Sequence, residues 1–448
     1  MSRMFRYKFR KSSIQKILDE LYRGVVSAEG IVSESIRRAE GIGRELNYFL
    51  HVDHDLTYSR IDKLSRNICE GVFKPLTCIP VAVKDNIDHK PFVTRAGTPY
   101  LNINPKMNAR IIDVLEDMGA VSIGRTNMHE LAMGATNINP HFGPSRNPLD
   151  PSRITGGSSG GSAGSVAVGI TPIALGTDTG GSVRIPAAFC GVVGFKPTIN
   201  RIPVAGVLPV SNTLDHVGIL AGNVEDIIIT LNTLINGFID STYSMLENIR
   251  NRRIRLAVIK EIVNVSTDSV KESFSKALDI VRGLNWEVDE VSFPDFNMVS
   301  KIRAPIMLGE AAANLFDIYV RYGDRMGSDV KYLFKIGLSI PASIYVMACK
   351  VRRRWITYFK DLFSRYDVIA TPTIPIEPPK ISEVENIATR ALLIKNTELF
   401  NVIGTPTITL PAPKLSIGLP GYIQLTTSWN NDELLLAASL IYEELYSP

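Results

Sequence analysis

Two glycine–serine stretches on either side of a mostly apolar segment dominate this sequence. The first reads Ile154-Thr-Gly-Gly-Ser-Ser-Gly-Gly-Ser-Ala-Gly164, and the second reads Gly176-Thr-Asp-Thr-Gly-Gly-Ser-Val-Arg184. Glycine costs backbone entropy on folding, and a flexible linker would not alternate with the apolar residues found here. The pattern therefore predicts two tight loops whose backbone N–H groups converge on a reacting atom.

Composition is that of an ordinary globular protein. Of the 448 residues, 45% are hydrophobic and 21% are charged, which is enough to bury one large core or a few smaller ones. The formal net charge of +4 is too small to indicate a nucleic-acid-binding surface. The cysteines lack C-x-x-C spacing and fit a reducing compartment and buried thiols better than a disulfide framework or a zinc site. We predict no metal and no cofactor. The cysteines are Cys69, Cys78, Cys190 and Cys349.

The sequence shows no targeting signal. Residues 1–11 are basic but lack the apolar stretch of a secretory signal. No run of about 18 apolar residues occurs, so we predict no transmembrane helix, no membrane partner and a cytoplasmic location.

Short apolar runs alternate with helical patterns around the two loops. Strands are predicted at 79–84, 120–124, 172–175 and 192–195, and helices at 108–118, 164–168 and 185–190. This alternation predicts an α/β fold with a central mixed β-sheet flanked by helices.

Domain organisation follows from where the alternation begins and where it is interrupted. We predict that residues 1–70 form an N-terminal helical segment packed on the core and that residues 71–448 form the main domain. Within that domain we predict a core at 79–220, a helical insertion at about 237–365 and a return to the sheet at 366–448.

A lysine is the best candidate for the base that such loops need. Lys84 ends an apolar predicted strand, and burial lowers the pKa of an ammonium group. Most lysines are exposed, so an arbitrary lysine is more often a surface residue than a catalytic base. The S-x-x-K pairs Ser13/Lys16 and Ser273/Lys276 lie in amphipathic helical patterns, and we interpret them as surface-helix residues.

The first loop also contains G-x-S-x-G, the nucleophile elbow of α/β-hydrolases. That motif needs an acidic residue and then a histidine later in the chain. Of the six histidines only His216 follows Ser158, and the second half of the chain has none. This order disfavours a Ser–His–Asp triad.

The loops and their flanking segments resemble the amidase signature family. The segments that carry the resemblance are 79–85, 124–134, 142–148, 154–186, 190–198, 214–218, 371–373 and 420–425. Several long motifs in the right order make the resemblance specific. It implies the amidase signature fold, with a helical insertion, and an amidohydrolase acting on linear amide C–N bonds.

The resemblance implies a Ser–cis-Ser–Lys triad. Ser182 would be the nucleophile, Ser158 the bridging serine after a cis peptide bond, and Lys84 the base. Attack by Ser182 on an amide would give an acyl-enzyme, which water releases as the acid. The backbone of Thr179, Gly180, Gly181 and Ser182 would form the oxyanion hole, and Ser159, Asp178 and Arg184 would support the loops. Arg184 could equally be an exposed surface residue.

Two branches of the family use ammonia differently. Free-standing amidases release it, whereas the A subunit of a tRNA-dependent amidotransferase supplies it from glutamine to its partners. Residues 196–206 and 209–218 depart from the pattern of that transferase component, so we predict a free-standing amidase. The alternative is the glutaminase-type A subunit, with B and C subunits and Glu-tRNA(Gln) or Asp-tRNA(Asn) as partners. The intact triad disfavours a non-catalytic binding protein.

The predicted substrate is a small-molecule amide in a mostly apolar pocket built by the helical insertion. Ala132 and Gly134 are candidate pocket residues. Arg352 resembles the arginine that grips the glutamine carboxylate in the transferase branch, although an exposed helical arginine explains it equally well. The sequence does not identify the natural amide, and a homodimer is left open.

Overall fold

A mixed β-sheet forms the centre of the molecule. The computed structural model describes residues 11–284, 286–384 and 387–446. The strands in these residues are β1 (Phe49–Val52), β2 (Pro80–Lys84), β3 (Val121–Thr126), β4 (Ile138–Asn139), β5 (Gly143–Pro144), β6 (Ile173–Asp178), β7 (Val193–Lys196), β8 (His216–Ala221), β9 (Arg255–Ile259), β10 (Glu287–Val291), β11 (Val368–Pro372), β12 (Thr407–Ala412) and β13 (Gly421–Thr426).

Eleven of the described strands form one sheet, and β4 and β5 form a separate two-stranded pair. The order in the large sheet is β1-β3-β2-β6-β8-β7-β12-β13-β11-β9-β10. Strand β2 is parallel to both β3 and β6, whereas β8 is antiparallel to β6 and β7. Every residue of β2 and β6 is buried, which explains the short apolar runs at 81–83 and 173–175 within these strands.

Helices flank this sheet, as predicted. Their bounds are α1 (Ser13–Tyr22), α2 (Ala28–Glu40), α3 (Ile42–Glu45), α4 (His54–Cys69), α5 (Arg110–Asp117), α6 (Gly160–Ala167), α7 (Arg184–Cys190), α8 (Val224–Leu234), α9 (Phe238–Arg250), α10 (Lys260–Asn264), α11 (Asp268–Arg282), α12 (Val299–Asn314), α13 (Phe316–Tyr322), α14 (Ser328–Leu338), α15 (Ala342–Arg365), α16 (Ile387–Leu393), α17 (Glu398–Ile403) and α18 (Asp432–Leu445). Short 3₁₀ helices lie at Glu130–Ala132, Pro294–Met298 and Ile381–Glu383. The α/β fold with a central mixed sheet is confirmed.

The segment predicted to be an N-terminal helical unit also contributes a strand to the sheet. Strand β1 pairs antiparallel with β3, so residues 49–52 belong to the central sheet. A four-residue edge strand carries too short a pattern to be read from the sequence. Residues 1–10 of this predicted segment lie outside the described residues.

The predicted helical insertion is interrupted by two strands. Strands β9 and β10 lie within residues 237–365 and extend the sheet beyond β11 in parallel pairing. The longest run of consecutive helices in this segment extends from α12 to α15, and α14 and α15 both pack on α12. The apolar runs at 255–259 and 286–293 predict these two strands, and residues 298–365 are mostly helical, as predicted. The domain boundaries stay a prediction.

The two lysines of the S-x-x-K patterns lie on the surface. Lys16 on α1 and Lys276 on α11 are exposed, as expected for surface-helix residues.

Among the described residues no single helix is long and apolar enough to cross a membrane, and α14 and α15 meet that test only as a pair bent by 93°. The cytoplasmic location stays a prediction.

Candidate active site

The candidate site lies where two neighbouring parallel strands end. Lys84 is the last residue of β2 and Asp178 the last residue of β6, and these strands are hydrogen-bonded in parallel. Their carboxyl ends therefore open at the same edge of the sheet, where α/β proteins bind ligands. The two glycine–serine loops lie at this edge. The first leads into α6, which begins at Gly160, and the second connects β6 to α7, which begins at Arg184.

Lys84 is fully buried and faces the first loop. Its Nζ lies 2.7 Å from Oγ of Ser158 and 2.7 Å from Oγ1 of Thr177. Burial lowers the pKa of Lys84 to about 7, although the negative charges of Asp178 and Asp215 oppose that shift. A large fraction of Lys84 is therefore neutral at pH 7 and able to accept a proton.

The first loop is packed too tightly for side chains at its glycines. The Gly157–Ser158 peptide bond is cis, as the resemblance implies. A Cβ at Gly160 would lie 2.3 Å from Oγ1 of Thr155, and one at Gly161 would lie 2.4 Å from a backbone oxygen. Ser159, which follows the bridging serine, donates its backbone N–H to the carbonyl of Ser182 at 3.2 Å, so the two loops contact each other directly.

The second loop is organised around the carboxylate of Asp178. This carboxylate accepts the backbone N–H of Gly181 at 2.8 Å and that of Val183 at 3.1 Å. It also forms an ion pair with Arg184, with Nη2 of the guanidinium 3.0 Å from Oδ1. Both side chains are fully buried, so the interpretation of Arg184 as an exposed surface residue is wrong.

The charge of Arg184 keeps Asp178 ionised inside the protein. Burial alone raises the pKa of a carboxyl group, but the Arg184 charge and hydrogen bond outweigh burial and hold the pKa of Asp178 well below its usual value. Because the ionised carboxylate accepts backbone N–H groups on either side of Ser182, it holds the turn that presents this serine.

One predicted oxyanion donor is already occupied. The backbone N–H of Gly181 points to Asp178, so the prediction that it belongs to the oxyanion hole needs correction. The N–H groups of Thr179, Gly180 and Ser182 have no acceptor among the described residues. Gly181 has φ +128°, and a Cβ there would lie 2.2 Å from Oγ1 of Thr397, so its role is to let the turn form.

Residues far along the chain complete the second loop. Thr397 donates its hydroxyl to the carbonyl of Gly180 at 2.6 Å, and the amide of Asn401 donates to Oδ1 of Asp178 at 2.8 Å. Thr179 donates its hydroxyl to Asp215 at 2.6 Å. The sequence did not identify Thr397 or Asn401 as site residues, because no local pattern shows that α17 packs against this loop.

Ser182 opens into a cavity of about 580 Å³. Thr179, Gly180 and Ser182 line one side of it, and the predicted pocket residues Ala132 and Gly134 also line it. The helical wall contributes residues of α12, α14 and α16: Arg303, Ala304, Met307, Leu308, Ser328, Asp329, Tyr332, Leu333, Arg390 and Ala391. The expectation that helices build the pocket therefore agrees with the structure.

Arg352 does not line this cavity. Its guanidinium donates to the backbone carbonyls of Val402 at 2.6 Å and Thr213 at 2.8 Å, and so joins α15 to two other segments. The expectation that Arg352 contacts substrate is corrected accordingly. The sequence had no means of distinguishing it from Arg303, which does line the cavity.

The pocket is less apolar than predicted. Arg303 is paired with Glu398 at 2.7 Å, and Arg390 is paired with Asp329 at 3.2 Å. His129 lies 3.3 Å from the same Asp329 carboxylate. Among the described residues, no cluster of three or more His, Cys, Asp or Glu side chains is arranged to hold a metal ion.

Comparison with known proteins agrees with this geometry. The sequence profile of the family described as Amidase matches residues 30–436, which is most of the chain. The chain belongs to the amidase family. It is therefore an amidohydrolase acting on amide C–N bonds, and the resemblance seen in its motifs is confirmed.

Curated relatives of this amidase are named as transferase subunits. The A subunit of glutamyl-tRNA(Gln) amidotransferase from Archaeoglobus fulgidus is 34% identical over 434 residues, covering 90% of this chain and 93% of the relative. The protein of the same name from Geobacillus kaustophilus is 34% identical over 410 residues, covering 83% of this chain and 84% of the relative.

Solved structures include both branches. A structure described as an amidase matches this one with a TM-score of 0.88 and 29% identity, covering 97% of this chain and all of the other. The A subunit of glutamyl-tRNA(Gln) amidotransferase from Thermotoga maritima matches with a TM-score of 0.78 and 28% identity, covering 96% of this chain and 94% of the other. The amidase signature fold is thus confirmed.

Proposed function

We propose that this amidase hydrolyses a carboxylic acid amide to the acid and ammonia through an acyl-enzyme on Ser182. The observation that carries the proposal is the fully buried Lys84 amine, 2.7 Å from Oγ of Ser158 and with a pKa of about 7. The loop of Ser158 is hydrogen-bonded to the loop of Ser182, which opens into the cavity, and a neutral amine in contact with a serine supports activation of a nucleophile there.

The first half-reaction uses the three residues in series. Neutral Lys84 accepts the hydroxyl proton of Ser158 as Ser158 accepts that of Ser182. Oγ of Ser182 bonds to the amide carbon, and the carbonyl electrons move onto oxygen. The free N–H groups of the second loop stabilise that oxyanion; removing one such donor typically costs about 100- to 1000-fold in rate.

The second half-reaction releases both products. The tetrahedral intermediate collapses as the C–N bond breaks, and the leaving nitrogen takes the proton returned through Ser158, so ammonia departs. Water then attacks the ester carbon and gives its proton to the same relay. The C–O bond to Ser182 breaks, the acid leaves and the serine regains its proton.

Ammonia release by the purified chain tests the proposal. We expect turnover of simple aliphatic, aromatic and amino-acid amides by the wild-type protein, and a loss of about 10⁴-fold or more in Ser182→Ala. Circular dichroism should show unchanged folding, and Ser13→Ala, on α1, is the matched control. Equal ammonia release by Ser182→Ala and wild type would contradict the proposal.

A second candidate function is favoured by the names of the curated relatives. They are A subunits of a tRNA-dependent amidotransferase, and this chain covers most of their length. In that case the same chemistry would act on glutamine, and B and C subunits would use the ammonia to amidate tRNA-bound glutamate. Glutamine hydrolysis that requires added B and C subunits and tRNA, with no activity on simple amides alone, would favour this candidate.

A further inference from the structure

We infer that this site selects amides whose acyl part carries a carboxylate close to the scissile bond, and that Arg303 binds this carboxylate. The inference rests on the proposed function, because it concerns the acyl group transferred to Ser182. The substrate class is the short monoamide of a dicarboxylic acid, for which malonamate and succinamate are probes.

The position of Arg303 is held by Glu398. Nε of the guanidinium donates to Oε2 of Glu398 at 2.7 Å, and Ser300 donates its hydroxyl to the other carboxylate oxygen. The Glu398 side chain is fully buried and that of Arg303 is 9% exposed. A guanidinium fixed along one edge in this way loses little further freedom when it binds a ligand.

The other edge of the guanidinium remains open to a ligand. Nη1 contacts only the thioether sulfur of Met307, a weak acceptor, and Nη2 has no hydrogen-bond partner among the described residues. Arg303 itself lines the cavity with Ser182. Two parallel N–H donors on a planar group match the two oxygens of a carboxylate.

Arg303 lies against the loop that carries the predicted oxyanion donors. A Cβ placed on Gly180 would be 3.4 Å from Nη1 of Arg303, so the guanidinium sits directly over this backbone. An amide carbonyl bound by the loop and a carboxylate bound by Arg303 must therefore be close together in the substrate. This distance favours short diacid monoamides over long acyl chains.

The other arginine of the pocket, Arg390, does not present two free parallel N–H donors to a ligand as Arg303 does. Arg390 donates Nε to the carbonyl of Val384 and Nη1 to Asp329, and Asp329 also lies beside His129. Asp329 is therefore compensated by two neighbours. Its pKa is lowered to about 2, because His129 and Arg390 outweigh the effect of burial.

Comparison of charged and neutral substrates tests the inference. For wild type we expect kcat/KM for malonamate to exceed that for its methyl ester and for butyramide by about 100-fold. Arg303→Met should lose about 100-fold on malonamate, mainly through a higher KM, and change less than about fivefold on the methyl ester. Arg321→Met, an exposed arginine on α13, is the matched control.

A second variant guards against misfolding. Because Arg303→Met leaves Glu398 buried without its partner, the double variant Arg303→Gln/Glu398→Gln keeps neutral hydrogen-bonding groups at both positions. It should show the same loss of preference for malonamate. In wild type, malonate should inhibit competitively at concentrations at least about tenfold lower than propionate, which lacks the second carboxylate.

Three outcomes would overturn the inference and leave the proposed function intact. These are equal wild-type turnover of butyramide and malonamate, equal losses on charged and neutral amides in both Arg303 variants, and no inhibition by malonate. If Ser182→Ala released ammonia as fast as wild type, the proposed function itself would fail instead.

Discussion

The two sides of this active site are built differently. On the sheet side, Lys84, Ser158 and Asp178 are fully buried and held by hydrogen bonds from backbone and side chains. On the helix side, the Arg303–Glu398 pair is buried, but Asp329 and Arg390 keep 29% and 34% of their side chains exposed. We infer that the sheet side determines the chemistry and the helix side determines which amide is accepted. Substitutions on the sheet side should therefore affect all amides alike or the stability of the fold, and substitutions on the helix side should change the preference among amides.

Loss of the base should give the largest effect on the sheet side. In Lys84→Met an apolar side chain of similar length fills the buried site, so the fold is retained but no group accepts the proton of Ser158. We expect kcat to fall by about 10⁴-fold on charged and neutral amides alike. Steady-state ammonia release measures it.

Lys276→Met is the control for that prediction, since Lys276 is exposed on α11 and paired with Glu272. It should keep wild-type activity. Retention of full activity in folded Lys84→Met would contradict the proposed proton relay.

Removal of Arg184 should destabilise the fold of the sheet side. Arg184→Met leaves the buried Asp178 without its ion partner, which typically costs about 3–5 kcal/mol. The free energy of unfolding, measured by urea denaturation at pH 7, should fall by that amount.

The matched control is Arg250→Met, which breaks an ion pair of about half-exposed side chains, Arg250 with Glu444. Exposed pairs contribute up to about 1 kcal/mol. A loss at Arg184 no larger than at Arg250 would show that the buried pair does not organise the loop.

The pH dependence should report the buried lysine. Burial lowers the pKa of Lys84 to about 7, and the protonated form cannot act as a base. For a neutral amide, kcat/KM should therefore rise about tenfold per pH unit up to about pH 7 and then level off. Burial also raises the pKa of Asp215 to about 6, so Asp215 titrates in the same pH range in which kcat/KM rises. A flat profile between pH 5 and pH 9 would contradict a titrating base.

Much of the sheet side could be predicted from the sequence. Apolar runs ending at Lys84 and Leu175 indicate buried strands, and dense glycine indicates loops without room for side chains. These are local patterns. The structure brings Lys84 and Ser158 into contact, as the resemblance implies.

The helix side could not be predicted in the same way. Contacts such as Thr397 with Gly180 and Arg303 with Glu398 join segments about a hundred or more residues apart, and no periodicity encodes them. Arg303 and Arg352 both lie in helical patterns, and only packing shows which of them faces the cavity. Likewise, the sequence does not reveal that the N–H of Gly181 is used by Asp178.

Covalent labelling identifies the serine that attacks the substrate. A fluorophosphonate reacts with an activated serine hydroxyl, and tandem mass spectrometry of the digested protein locates the adduct. We expect labelling of Ser182 in wild type and a strong decrease in Lys84→Met. An adduct on Ser158, the serine of the G-x-S-x-G pattern, would contradict it.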